Sequence, residues 1–370
     1  MIDGKYQIYS GIIWDIPNFL VCVILILVLS DKYKIPAYQQ LLLFVHALLP
    51  FCLNDVLFPA TLFGDQIRYV FSVHEIRSLF EATDPANTVV NASWMLSVLP
   101  LPFIETIKSL GFFNSFIYIV IFFFLKSKNI LTNTSIVFYL CYPSLALYSG
   151  LSLRDTLILL FMIVGAYSAV ERKYVLFIVV MILLYSIKFQ NFLIMLPMVF
   201  YSIFNIRYKG ISFKVAFVIV IIIYSVLIIS YPISVPLINK YRMAMYIEDG
   251  GSATDNIKMI SGIYDFIITG FSSGFYFLLK PFPWESNSFL QIFQSIENIV
   301  IVIFMIKITI TSFKYDPKQV IFWVFFLMLS MSIYGLVVFN FGTAARYRYP
   351  FIVIYAIFLE YTCKKVRHEK

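Results

Sequence analysis

Two carboxylates and four cations stand where this chain leaves its apolar runs: Asp65, Asp155, Arg154, Lys188, Arg346 and Arg348. Arginine binds phosphate oxygens in pairs and keeps its charge throughout the physiological range. Such cations gathered around one cavity suit a phosphate or diphosphate and can stabilise negative charge on a departing group. A carboxylate beside them can take the proton of an attacking hydroxyl. Asp65 is the better candidate for that task, because Arg154 is expected to hold its neighbour Asp155 in an ion pair; His74 is a reserve. Arg154 and Asp155 are the only charged residues between Ile130 and Val170, in the run Tyr142-Pro143-Ser144-Leu145-Ala146-Leu147-Tyr148-Ser149-Gly150-Leu151-Ser152-Leu153-Arg154-Asp155. Charge beside hydrocarbon costs several kcal/mol unless it reaches headgroups, water or a partner.

Further polar groups complete the candidate site. Lys188-Phe189-Gln190-Asn191 joins two apolar runs too closely spaced for a real loop. Gln291, Gln294 and Asn298 recur at helical spacing and must face a cavity or another helix. Lys280-Pro281-Phe282-Pro283-Trp284-Glu285 and Gly342-Thr343-Ala344-Ala345-Arg346-Tyr347-Arg348-Tyr349-Pro350 add cations framed by aromatic rings. Asp65, Arg154 and Arg346 are thus the candidate catalytic groups. Asp155, Lys188, Gln190, Lys280, Trp284, Gln294, Tyr347 and Arg348 are the candidate substrate contacts. Each has a structural counterpart: headgroup contacts for Arg346 and Arg348, a snorkelling cation for Lys188, a helix cap for Asp65, helix–helix hydrogen bonds for Gln291 and Gln294, and an interfacial anchor for Trp284.

These residues are embedded in a chain that is 61% hydrophobic and 13% charged, with 39 Phe and 26 Tyr among 370 residues. A soluble domain carries about twice that charge fraction, so the expectation is an all-α polytopic membrane protein forming a single transmembrane domain over 1–370. The net charge of +8 sits in short clusters between apolar runs, as orientation signals do and nucleic-acid-binding surfaces do not. Four scattered cysteines without a CxxC pair, and three histidines, argue against a disulfide framework or a metal centre. The first apolar run ends in Asp31-Lys32-Tyr33-Lys34 and lacks the small-residue site of a cleavable signal peptide.

With about 20 residues per crossing, eleven spans are expected, near 12–30, 38–58, 110–125, 131–148, 153–170, 174–188, 191–206, 213–235, 289–311, 319–340 and 349–363. Strict alternation places all six basic clusters, from Lys32/Lys34 to Lys364/Lys365/Arg367/Lys370, on one face. The positive-inside rule makes that face cytoplasmic, with the N-terminus outside and the C-terminus inside. Two longer segments, 59–109 and 236–288, then form external loops bearing interfacial or re-entrant elements. A phosphate met at the external lipid surface suggests a polyprenyl-linked sugar donor.

Four motifs in this order resemble the O-antigen and oligosaccharide repeat-unit polymerases of the Wzy type and their EpsG-like relatives. They are Gly64-Asp65-Gln66-Ile67-Arg68-Tyr69, the Tyr142–Asp155 run, Pro281-Phe282-Pro283-Trp284, and Arg346-Tyr347-Arg348-Tyr349-Pro350-Phe351. The resemblance implies a GT-C-like glycosyltransferase of the bacterial inner membrane. It would polymerise undecaprenyl-diphosphate-linked oligosaccharide on the periplasmic face, with a flippase and a chain-length regulator as partners and no cofactor, metal or nucleic acid. It also implies that Arg154, Arg346 and Arg348 contact the diphosphate and that Asp65 orients or deprotonates the acceptor. The chain departs from ligase-like members of the wider class in having no histidine within 236–288. A single-sugar transferase using polyprenyl-phosphate sugars is a second expectation, and a lipid-glycan flippase or transporter a third.

Overall fold

In a lipid-solvated helix the usual amphipathic logic is reversed, because apolar side chains can face the solvent and the polar ones must find partners inside. The computed structural model, which describes residues 11–203, 218, 221, 222, 225, 229–248 and 259–369, shows this in its first long helix. Along α1 (Ile16–Tyr33) the buried residues are Asn18, Cys22, Ile26 and Ser30, one every turn. Leu20, Ile24, Leu27 and Val28 are exposed.

The described residues form helices and connecting segments without a named strand. Two compact units divide the chain, Met1–Leu196 and Pro197–Lys370. The first holds α1, α2 (Ala37–Leu53), α3 (Asp65–Arg77), α4 (Asn87–Ser97), α5 (Ser109–Ser127), α6 (Asn133–Cys141), α7 (Pro143–Gly150), α8 (Asp155–Val170), α9 (Tyr174–Ile187) and α10 (Phe189–Met195). The second holds α11 (Pro197–Ile203), α12 (Tyr231–Glu248), α13 (Ile263–Leu279), α14 (Phe289–Phe313), α15 (Pro317–Gly335) and α16 (Phe341–Glu369).

Among the described residues, four stretches are long and apolar enough to cross a membrane: Ile12–Tyr33, Ser109–Ser127, Phe289–Phe313 and Pro317–Gly335. Most of the other expected spans are shorter helices or broken ones. The run at 131–148 divides into α6 and α7 at Tyr142-Pro143, where proline cannot extend the preceding helix. The run at 213–235 lies largely outside the described residues.

In the first unit α5 is the central helix, packed against α1, α2, α7 and α8. Close approach depends on Gly111, where an added Cβ would stand 2.6 Å from the Gly150 carbonyl oxygen and 2.9 Å from Asn54 Nδ2. The expected external segment 59–109 folds into α3 and α4. An irregular stretch after α4 is pinned to the entry of α1, where Asn18 exchanges hydrogen bonds with the backbone of Phe103 and Asp15 accepts from Thr106 and Ser109.

In the second unit α15 and α16 are tied by Trp323, whose Nε1 donates to Thr362 Oγ1 at 3.1 Å. The segment 236–288, expected as an external loop, contains most of α12 and all of α13. Its apolar helix α13 packs backbone-close against α15, since an added Cβ on Gly274 would stand 2.6 Å from Ser332 Oγ and one on Gly335 would strike the Ser273 carbonyl. Small residues at such a crossing let two helices exchange dispersion contacts that larger ones forbid, so α13 belongs to the helical body of this unit.

This packing makes Gly335→Ala destabilising by about 1–3 kcal/mol through overpacking. Gly270→Ala, with nothing within 4 Å of its added Cβ, should leave the thermal midpoint of the purified protein unchanged or raised.

Candidate functional site

The run that carries Arg154 becomes a break between two helices. Leu151–Arg154 lies between α7 and α8; Leu151 N still donates to Leu147 O and Arg154 O accepts from Ile158 N, and the rest of its backbone must be satisfied by neighbours. Asn54 Nδ2 donates to Gly150 O at 2.9 Å, and Asn114 Nδ2 donates to Leu151 O and Leu153 O at 2.6 and 2.5 Å. Ser152 N donates to Gln66 Oε1 at 3.0 Å, and Ser152 Oγ donates to Ile107 O. Side chains from α3 and α5, with Asn54 just past α2, therefore hold four consecutive residues in one conformation.

That conformation places Arg154 at the entry of α8. Its Nη1 donates to Thr88 O at 3.0 Å and to Ile187 O, in the last turn of α9, at 2.9 Å. The guanidinium also lies 5.6 Å from the Tyr69 ring centroid. Both hydrogen bonds thus go to main-chain carbonyls, where adjacency led us to expect an ion pair with Asp155. Asp155 itself is buried in the first turn of α8, where a helix dipole favours a carboxylate.

Asp65 opens α3, with its side chain 34% exposed and 3.8 Å from Arg68 Nη1. Arg68 forks onto Asp84, Nε to Oδ2 and Nη2 to Oδ1, both at 2.9 Å. Burial raises the Asp84 pKa, but the Arg68 hydrogen bond, the Ala86 N–H and the charges of Arg68 and Arg154 together bring it below 3.8. Asp65, Arg68, Tyr69, Asp84 and Arg154 consequently share one polar mouth, bounded by the first turns of α3 and the entry of α8. Lys188 is buried at the end of α9, and Gln190 is half-buried two residues on.

The second unit gives its cations a different task. Arg348 is 1% exposed. Its Nη1 donates to Phe277 O, Leu278 O and Lys280 O at 3.2, 3.1 and 2.7 Å, and its Nη2 donates to Asn298 Oδ1. Asn298 Nδ2 in turn donates to Leu279 O and Lys280 O. These are the carbonyls that the end of α13 leaves without intrahelical partners. Lys280, also buried, donates to Val338 O at 2.6 Å, and Arg242 donates to Leu336 O just past α15. Arg348 and Lys280, expected as substrate contacts, are both buried clamps on main-chain oxygens. A guanidinium with five donors, or an ammonium with three, suits carbonyls that water cannot reach.

Gln294 likewise donates to Phe341 O at 2.8 Å, the helix–helix role weighed for it above. Arg346 and Tyr347 stay half-exposed, the guanidinium 5.7 Å from the Tyr347 ring. Trp284 is 79% exposed, with Phe282 stacked parallel to it at 4.8 Å.

No family model, curated protein or solved structure matches this chain. The chemistry of the site is accordingly read from its residues.

Several contributors escaped the sequence reading. Arg77 donates to Ser97 O, Leu99 O and Leu101 O at 3.0, 2.6 and 2.5 Å, holding the exit of α4. Gln66, Asn54, Asn114 and Arg242 were also missed. Their signal was a carboxamide or a guanidinium in or beside an apolar helix, which demands a partner.

Two outcomes follow from these roles. Arg348→Ala should lower unfolding stability by about 3 kcal/mol, because several buried acceptors lose their donor at once, while the more exposed Arg346→Ala should cost less than about 0.5 kcal/mol; thermal unfolding in detergent compares the two. Because Asp84 titrates below its ordinary value, its contribution is complete above pH 3.8 and is lost as pH falls through the depressed value. Hydrogen exchange of the α3–α4 connection should therefore accelerate in acid, and Asp84→Asn should abolish that pH dependence.

Proposed function

We propose that this chain is a membrane glycosyltransferase that polymerises undecaprenyl-diphosphate-linked oligosaccharide repeat units at the external face of a bacterial inner membrane. The observation that carries the reading is the mouth of the first unit, where the partly exposed carboxylate of Asp65 and the anchored guanidinium of Arg154 gather around the first turns of α3. The helical character of the described residues, the apolar composition of the chain and the motifs in which it resembles Wzy-type polymerases support the same reading.

In this mechanism an acceptor sugar hydroxyl attacks the anomeric carbon of the donor. The new C–O bond forms as the bond from that carbon to the diphosphate oxygen breaks, and undecaprenyl diphosphate leaves with the electron pair. Asp65 takes the hydroxyl proton. Arg154 stabilises the charge that grows on the leaving group, which calls for a donor already fixed in place. Its two bonds to backbone carbonyls supply that fixity, and Nη2 stays available for a ligand oxygen. Lys188 and Gln190 follow Ile187, whose carbonyl Arg154 binds. Arg346, in the second unit, is retained as a candidate on the resemblance alone; it is less buried than Arg348.

In a strain that depends on this protein for its surface glycan, Asp65→Asn should cut polymerised chains by about 100-fold or more. Protein level should stay unchanged, and single lipid-linked repeats should accumulate. Long glycan at wild-type abundance from both Asp65→Asn and Arg346→Ala would overturn the assignment. Loss of lipid-glycan translocation with polymerisation intact would point to a transporter instead.

A further inference from the structure

The break between α7 and α8 is satisfied on its backbone side only. Asn54, Gln66, Asn114 and Thr156 are all fully buried. Yet Asn54 Oδ1, Gln66 Nε2, Asn114 Oδ1 and Thr156 Oγ1, together with Arg154 Nε, make no hydrogen bond to the protein. The orientation of the three carboxamides is not arbitrary. Asn54 and Asn114 must turn their N–H groups to the carbonyls of 150, 151 and 153, and Gln66 must turn its oxygen to the Ser152 N–H. Their other ends are consequently the unmatched ones. All belong to side chains that touch the break or stand within the first residues of α8.

The unmatched set has a definite chemistry. Gln66 Nε2 and Arg154 Nε can only donate, the two asparagine oxygens can only accept, and the threonine hydroxyl can do either. An anion could serve the donors but not the asparagine oxygens, and a cation the reverse. We propose that this seam is a hydroxyl-binding site, bridged by groups that donate and accept at once: ordered water, or the hydroxyls of a bound carbohydrate. Buried polar atoms are bridged in this way in folded proteins generally. The site is distinct from the anion-directed role given to Arg154 above, and its existence does not depend on the polymerase reading; only the carbohydrate source does.

Thr156→Val tests it by the sign of its effect, since it removes the hydroxyl and keeps the β-branched shape. A buried hydroxyl with no partner is a cost, so its removal would leave the protein as stable or more stable. One that holds a bridging hydroxyl is an asset. The expected result in the full-length protein is a thermal midpoint lower by about 2–4 °C, with Thr156→Ser restoring most of it. A deficit in ligand-free protein identifies water. A deficit seen only after addition of undecaprenyl-diphosphate oligosaccharide identifies the substrate hydroxyl. A midpoint equal to or above wild type in both conditions would overturn the site, whereas a ligand-free deficit beside unaffected glycan synthesis in both Asp65→Asn and Arg346→Ala would keep it and remove the polymerase.

Discussion

A main-chain carbonyl that ends a helix inside a membrane protein has no water to turn to, and each one left bare costs several kcal/mol. Much of this structure answers that constraint. Helices are interrupted near their ends, at Gly150, Ile187, Leu279 and Gly335, and each interruption exposes carbonyls. The chain meets them with side chains from other helices. Arg154 reaches Ile187 O, Arg348 reaches the end of α13, Arg242 reaches Leu336 O, and asparagines 54 and 114 reach the break before α8. Cations suit the purpose doubly, because they carry several donors and complement the negative end of the helix dipole.

This solution alters what a cation near the membrane means. Counting Arg154, Lys188, Arg346 and Arg348 together as the lining of an anion cavity treats them as equivalent, and their surroundings separate them. Arg348 is enclosed by the oxygens it serves. Arg154 is anchored by one terminal nitrogen, with the remainder of its guanidinium beside Tyr69 and near Asp84. Arg346 lies half-exposed over an aromatic ring. A guanidinium already matched to carbonyls gains little by exchanging them for phosphate oxygens. Residual exposure separates Asp65, Arg68 and Arg154 of the first unit from buried Arg348.

Positions of helices were legible where composition alone decides them. The apolar run at 289–311 is the core of Phe289–Phe313, and that at 110–125 lies within Ser109–Ser127. Partners were not legible, because a carbonyl acceptor has no signature in a one-letter code. Nothing in Arg346-Tyr347-Arg348 reveals which arginine faces inward; that depends on the angular position of each on α16 and on where α13 happens to end. The packing of α13 was not legible either: Ser273 and Gly274 supply a smooth strip that Ser332 and Gly335 match. Small residues on an apolar helix were the available clue, and they argued for packing over surface attachment.

Arg154 has an architectural role of the kind its proposed chemical role would require. A flexible cation on an external loop would lose rotamer freedom each time it gathered a phosphate, a cost that reaches about 2 kcal/mol for such side chains. Here the freedom is already removed in the fold, since Nη1 bridges the start of α4 and the end of α9 while three carboxamides hold the backbone leading into it. Gln66 adds a coupling that the cation alone cannot supply. It adjoins Asp65 in sequence and grips Ser152 two residues before Arg154, so a shift of α3 would carry the carboxylate and disturb the guanidinium together. The broken helix is in this sense the scaffold of the mouth, and the carbonyls it leaves open are the reason its polar residues are held in place.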